Sequence, residues 1–259
     1  MKKGNSPTEC YNRVALVTGA AQGVGRCIAE RLAQDGFSIV LCDLAEQLLS
    51  EALEAVKLTS HASISVVADV SKERDVINLM NTIGGTFGRL DVLVNNAAII
   101  GLINGEVPTV EETTLESWEA VMRVNLTGPF LLCREAIPLM RLNKWGRIIN
   151  IGSRSSRSPL GVPAYGTAKS GLVGLARYIA KETAKDGITV NTIAPSRMAT
   201  QMTAQVSSPE VIAQKLAEIP MGRLALPQDV SNVVSFLASD QSDFLTGLVI
   251  DVNGGSSMA

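Results

Sequence analysis

Residues 13–36 narrow the possible folds of this 259-residue chain more than any other stretch. Arg13-Val14-Ala15-Leu16-Val17-Thr18 is a short β-rich run, and Gly19-Ala20-Ala21-Gln22-Gly23-Val24-Gly25 follows it directly. An apolar-periodic helix comes next, through Ile28, Ala29, Leu32 and Ala33, and Gly36 closes it. A strand, a glycine-rich turn and a helix form the unit that places a pyrophosphate at a helix N-terminus. Unpaired N–H groups and the helix dipole favour anions there. The glycines let the backbone turn tightly and approach phosphate oxygens. No Gly-Lys-Ser/Thr comes after it, so the loop is not a Walker A loop. A bare structural turn would look the same in isolation, so the loop gains weight only from the rest of the chain.

Beyond Gly36 the chain alternates strand and helix without a break. Ser38 to Cys42 reads as a strand ending in Asp43, and residues 45–58 as a polar helix. Ile64 to Ala68 is a strand ending in Asp69-Val70, residues 72–83 a helix, and Leu90 to Val94 a strand ending in Asn95-Asn96-Ala97-Ala98. Residues 114–143 read as one long helix or a broken pair around Asn125. The strand Arg147–Ile151, the helix around Tyr165, the strand Thr189–Ile193, a helix over 227–239 and the strand Leu248–Val252 complete the series. Such alternation implies a parallel sheet with right-handed crossovers. The expected fold is therefore α/β, a single-domain, Rossmann-type, doubly wound parallel sheet of about seven strands with helices on both faces. One domain over 1–259 is the economical reading, with 1–11 a flexible N-terminal extension. Residues 197–224 break the rhythm, as a lid over a substrate would.

Ligands in such sheets bind beyond the carboxyl ends of the strands. Gly19, Asp43, Asp69, Asn95 and Ser153 all fall there. An acidic group about twenty residues beyond the loop accepts hydrogen bonds from the adenosine ribose hydroxyls. It also repels a 2′-phosphate. Its neighbours Gln22 and Leu44 are uncharged, so Asp43 favours NAD over NADP. Asp69 is placed to reach the adenine amino group.

Composition removes several other classes. The formal net charge of −2 gives no reason to expect nucleic acid or an anionic membrane as partner. No apolar run approaches the ~20 residues that span a bilayer, and Met1 to Tyr11 lacks an apolar signal core. Cys10, Cys27, Cys42 and Cys133 have no metal-like spacing and read as thiols of a reducing compartment. His61 is the only histidine, which argues against histidine triads and multi-histidine metal sites. A cytoplasmic protein without a metal is expected.

Tyr165 and Lys169, four residues apart, share one face of a helix. A nearby ammonium favours the phenolate of a tyrosine, which otherwise titrates near ~10. Ser153, twelve residues upstream, follows an apolar strand and is placed to bind the substrate oxygen that Tyr165 protonates or deprotonates. Asn125 could hold a water that passes protons from Lys169. A tyrosine and a lysine on an ordinary amphipathic helix would show the same spacing, so the pair counts only alongside the cofactor loop.

With these motifs the sequence resembles the short-chain dehydrogenase/reductase family over almost its whole length, from about Val14 to Met258. Thr18 to Gly25 looks like its TGxxxGxG loop, and Asn95-Asn96-Ala97-Ala98 like its NNAG motif. Asn125, Ser153, Tyr165 and Lys169 fall on its catalytic tetrad. The Pro195–Met202 stretch is similar to its PGxxxT segment, in which Thr200 would meet the nicotinamide carboxamide. Ala98 and Ser196 replace glycines, and Ser196 is expected to alter the backbone path beside the nicotinamide. The resemblance implies hydride transfer with Tyr165 as acid or base, and with Lys169 lowering its pKa and holding the nicotinamide ribose. Gly19, Gln22, Gly23, Val24, Gly25, Asp43, Leu44, Asp69, Val70, Asn95, Ala97, Tyr165, Lys169, Pro195, Met198 and Thr200 would hold the cofactor. A homotetramer, or a homodimer, built through the helices of Asn125 and Tyr165 is expected by the same analogy.

Arg154 and Arg157 follow Ser153, and Arg197 opens the expected lid. Guanidinium groups suit bidentate capture of carboxylate, phosphate or sulfonate. They point to an anionic substrate such as a sugar acid, a sulfonated sugar or a hydroxy acid. Arginines that face water or pair with nearby carboxylates are the plainer alternative. A 3-oxoacyl thioester reductase is a competing activity, which Asp43 disfavours because NADPH normally drives such reductions. A dinucleotide-binding sensor or scaffold without turnover is the alternative of another class.

Overall fold

The computed structural model describes residues 13–60, 62–198, 216 and 218–257. The N-terminal extension, His61, Thr200 and most of the expected lid lie outside the described residues. Seven parallel strands form one sheet in the order β3-β2-β1-β4-β5-β6-β7. They are β1 (Val14–Thr18), β2 (Ser38–Asp43), β3 (Ile64–Val67), β4 (Val92–Asn95), β5 (Gly146–Ile151), β6 (Ile188–Pro195) and β7 (Val249–Val252). Among the described residues the α-helices are α1 (Gly23–Gln34), α2 (Glu46–Lys57), α3 (Glu73–Phe87), α4 (Leu115–Met122), α5 (Gly128–Asn143), α6 (Pro163–Thr183) and α7 (Pro227–Leu237). Strand order reverses between β1 and β4, which opens a crevice at their carboxyl ends.

The central strands are apolar on both sides because helices cover both faces. Leu16, Leu93, Ile148 and Val190 pack one way, against α3, α5 and α6. Ala15, Val17, Val94 and Ile149 pack the other way, against α1, α2 and α7. This alternation decides which side chain at each strand end reaches the crevice and which is buried.

The broken pair around Asn125 is resolved as α4, a π-helical turn over Arg123–Thr127, and α5. The Gly128 N–H donates to the Arg123 carbonyl, five residues back. An α-helix would supply the Asn125 carbonyl with the N–H of residue 129, but that residue is Pro129, which has none. A π turn inside a helix commonly marks a functional site. None of the described helices is long and apolar enough to cross a membrane.

Candidate active site

A cleft of ≈ 590 Å³ lies over the carboxyl ends of β1, β2, β4 and β5 and the start of α6. Its floor at one end is the glycine loop. Gly19 and Gly23 have φ of +64° and +58°, a region open to glycine at little cost. A Cβ on Gly25 would stand 2.0 Å from the Gly19 carbonyl oxygen, and one on Gly19 2.9 Å from Ala97 Cα. A Cβ on Gly23 would meet nothing within 4 Å, so the backbone there faces open space. Helix α1 begins without a side-chain cap or an acidic residue in its first turn. Its N–H groups and positive dipole end therefore remain available to an anion. The loop fits a dinucleotide pyrophosphate.

Asp43 closes the loop from β2. Its Oδ2 accepts from the Ala21 N–H (3.0 Å), and its Oδ1 accepts from Leu44 and Ala45 N–H (2.7 and 3.1 Å). Gln22, Val24, Leu44, Ala68, Asp69 and Val70 line the same end of the cleft. Asp69 Oδ1 accepts from the Ser71 N–H and hydroxyl (3.0 and 2.7 Å), while Lys72 pairs with Oδ2 at 3.3 Å. Burial raises the Asp69 pKa, but the Ser71 and Lys72 contacts outweigh it and hold the carboxyl below its ordinary value.

The NNAA segment corrects one expectation. Asn95 shares a strand face with Leu93, so its side chain turns beneath α5 rather than into the cleft. There its Nδ2 donates to Asn150 Oδ1 (2.8 Å) and lies 3.5 Å from Cys133 Sγ. The cleft is lined instead by Asn96, Ala97, Ala98 and Ile99. Asn96 Nδ2 donates to the Thr18 and Gly19 carbonyls (2.9 and 3.1 Å). Thr18 Oγ1 accepts from the Asn96 and Ala97 N–H groups (3.1 and 3.2 Å). Asn96 and Thr18 thus lock the glycine loop to β4. Their role escapes motif reading, although period-2 alternation already places Asn95 inward.

The tetrad residues converge from three elements. Asn125 is fully buried, and both ends of its amide are spent on Ile99: Oδ1 accepts from the N–H (2.9 Å) and Nδ2 donates to the carbonyl (2.8 Å). Its backbone carbonyl lacks the usual α-helical donor, because position 129 is Pro129. Lys169, 2% exposed, donates from Nζ to the Ile151 carbonyl at 2.7 Å and stands 5.5 Å from the Tyr165 ring centroid. Burial pulls this lysine down to about 8. Burial likewise pushes the Tyr165 phenol up to about 12, and the facing Ser153 hydroxyl acts in the opposite direction. The expected depression of Tyr165 by Lys169 is therefore overridden in the protein alone. A neutral phenol is ready to act as an acid.

Arg157 does not fulfil its expected role. It pairs with Asp251 at 3.1 Å and donates to the Val249 carbonyl at 3.2 Å, so its guanidinium is held against β7. Arg154 is half-buried in the 3-10 turn Arg154–Ser156, and no ion pair engages it among the described residues. The Arg197 carbonyl accepts from the Ala225 N–H at 3.3 Å, and Met198 bridges to Ala225, which anchors the base of the expected lid. Met198 lines the cleft, whereas Pro195 closes β6 and does not. Ser196 introduces no backbone strain. Its N–H donates to the Val252 carbonyl (3.1 Å), and positive φ among described non-glycine residues is confined to Asn104 and Lys144.

The fold and this cleft define a dinucleotide-dependent oxidoreductase of the Rossmann class. The family model described as enoyl-(acyl carrier protein) reductase matches residues 19–257. A short-chain dehydrogenase/reductase of Armillaria gallica is 40% identical over 262 residues, covering 96% of this chain and 98% of that protein. The BbsD subunit of (2S)-[(R)-hydroxy(phenyl)methyl]succinyl-CoA dehydrogenase from Thauera aromatica is 36% identical over 248 residues, covering 95% and 97%. The 3-oxoacyl-[acyl-carrier-protein] reductase FabG of Aquifex aeolicus is 36% identical over 250 residues, covering 94% and 96%. The crystal structure of levodione reductase superposes with a TM-score of 0.88 at 31% identity, covering 94% of this chain and 97% of that one. The chain belongs to the short-chain dehydrogenase/reductase family.

Proposed function

We propose that this protein is an NAD-dependent oxidoreductase that moves a hydride between the nicotinamide and a hydroxyl-bearing or carbonyl carbon of an anionic small molecule. Asp43 carries the cofactor half of this reading. Its carboxylate stands in the cleft with uncharged Gln22 and Leu44 beside it, so a 2′-phosphate would meet a negative charge and, among the described residues, no neighbouring cation. Asp43→Ala is expected to weaken NAD binding about tenfold or more and to narrow the gap to NADP, measured by titrating each coenzyme against protein fluorescence. Unchanged selectivity would refute the assignment. Loss of the carboxylate also frees the Ala21 N–H, so the melting temperature is followed alongside.

When bound, the cofactor supplies the hydride donor or acceptor. The glycine loop and the α1 N-terminus would hold its pyrophosphate, Asp43 its adenosine ribose, and Lys169 its nicotinamide ribose. Tyr165 gives a proton to the substrate oxygen in reduction and takes one in oxidation. Ser153 donates a hydrogen bond to the same oxygen. The Asn125 carbonyl holds the water through which Lys169 regains or loses its proton.

Arg154 carries the substrate half. A half-buried guanidinium directly after Ser153 is suited to a carboxylate or phosphate on the substrate. The succinyl group in the name of the Thauera relative's substrate suits this reading. Arg154→Ala is expected to raise KM for a hydroxy acid about tenfold while leaving its neutral methyl ester nearly unaffected. Equal effects on both would return Arg154 to the surface. The FabG relatives favour the alternative, a 3-oxoacyl thioester reductase, and a preference for NADPH would support it. The protein is proposed to be cytoplasmic and to assemble as a homotetramer or homodimer through α5 and α6, where Phe130, Leu142 and Tyr178 are exposed.

A further inference from the structure

Both ends of the buried Asn125 amide grip one residue of the cleft wall. From the π turn, Oδ1 accepts from the Ile99 N–H (2.9 Å) and Nδ2 donates to the Ile99 carbonyl (2.8 Å). Two residues on, Gly101 has φ of +83°, and a Cβ there would stand 2.5 Å from Val121 Cγ2 on α4. The segment is therefore pinned at two points. Ile100 and Leu102 pack into the cluster of Val121, Val162, Ala164 and Ala168, which also takes the Tyr165 ring. Ile99 instead lines the cleft and is 39% exposed.

Single exposed apolar side chains are common, so exposure alone says little. What sets Ile99 apart is a clamped backbone and a place in the same cleft as Tyr165 and Lys169. Its β-branched side chain is stiff at χ1. A wall fixed before binding loses little entropy when a substrate meets it. Around the reacting pair the described lining is apolar, with Ala97, Ala98, Val124, Ile151 and Met198 beside Ile99. Each further hydroxyl of a polyol would give up water there without a partner among these side chains. An aryl or branched alkyl group would bury apolar surface against the same wall. We propose that Ile99 is a specificity-determining residue, held by Asn125 to receive an apolar substituent beside the reacting carbon. The substrate is then a hydroxy acid carrying an aryl or branched alkyl group rather than a sugar acid. This rests on the reading of the cleft as a hydride-transfer site for an anionic substrate, and it narrows that class.

The test sets racemic 3-hydroxy-3-phenylpropionate beside threonate, a polyhydroxy acid with a hydroxyl equally far from its carboxylate. Reduced coenzyme is followed with whichever of NAD and NADP supports turnover. The wild type is expected to favour the phenyl acid in kcat/KM by about tenfold or more. Ile99→Ala is expected to lower kcat/KM for the phenyl acid about tenfold and to leave 3-hydroxybutanoate, which lacks the ring, within about threefold. Ile99→Val should recover most of the loss. A merely structural role would lower both substrates alike. Equal wild-type values for the phenyl acid and threonate, a preference for threonate, or equal losses in Ile99→Ala would overturn the proposal. If neither acid turns over, calorimetric titration of the coenzyme-loaded protein with 3-phenylpropionate and with threonate decides. Tighter binding of the phenyl acid, weakened in Ile99→Ala, supports the proposal, and equal or absent binding overturns it. Should Ile99→Ala fail to fold, Ile99→Val and Ile99→Thr, alike in shape, carry the comparison, with Thr expected to be the poorer on the phenyl acid. Failure of the anionic reading would leave the same preference visible between neutral 1-phenylethanol and glycerol. Failure of the Asp43 assignment would change only the coenzyme used, so the readings fail separately.

Discussion

Tyr165→Phe is expected to lower turnover by a factor of about 10²–10⁴ while leaving NAD affinity nearly unchanged. The substitution removes the phenolic proton and keeps the ring, which packs with Val121, Val162, Ala164 and Ala168. NADH absorbance during oxidation of the best hydroxy acid found, set beside a direct NAD titration, separates the two quantities. Retention of more than a tenth of the turnover would remove Tyr165 from the chemistry. Loss of both turnover and NAD binding would make it a structural support of the cofactor site. Preserved turnover after loss of every tetrad proton donor would return weight to other chemistry, whereas no turnover in the wild type would favour the sensor or scaffold reading. Because burial pushes the phenol up to about 12, Tyr165 is protonated at neutral pH. Wild-type oxidation should therefore accelerate as pH rises, while reduction is already near its plateau.

Lys169→Met is expected to abolish turnover and at the same time to stabilise the fold. Lys169 is almost fully buried, with one protein hydrogen bond, to the Ile151 carbonyl. Burial pulls its pKa down to about 8 from the ordinary value of 10.5. Below pH 8 both folded and unfolded chains carry the charged lysine, and the folded one bears the full cost of desolvating it. Between 8 and 10.5 the unfolded chain binds more protons, so wild-type stability climbs with pH. Methionine matches the lysine stem without the charge, although it leaves the Ile151 carbonyl short of a donor. The gain is expected to be about 1–2 kcal/mol, a few degrees in melting temperature, at pH 7. It should shrink toward zero above the lysine's unfolded pKa. A variant that melts lower than wild type at pH 7, or whose difference from wild type is independent of pH, contradicts this account. A buried ammonium kept at a cost to stability is what a functional site retains.

The fold was legible because its signals are local and repeated. Each strand reads as an apolar run, each helix has its period, and the glycine loop and Gly36 mark turns with positive φ at Gly19, Gly23 and Gly36. Strand ends shifted by one or two residues, as β3 did in ending at Val67 rather than Ala68, whose N–H still donates to the Asp43 carbonyl. That the glycine loop, Asp43, Tyr165 and Lys169 would line one cleft was legible for a related reason, since their spacing places them at strand ends or at the start of a helix on the same side of the sheet. Arg157 was not, because its partner Asp251 lies 94 residues away and only the packing of β7 against the Ser153 turn brings them together.

By itself, the sequence determined the layer architecture and the strand ends that face the cleft. It could do so because period, turn chemistry and spacing are properties of neighbouring residues. Only the tertiary structure decided which arginine is already paired, and that Asn125 spends its amide on Ile99. It also decided the ionisation of the pair at the centre, raising Tyr165 and lowering Lys169. Desolvation depends on everything packed around a group, and that surrounding is assembled from segments far apart in the chain.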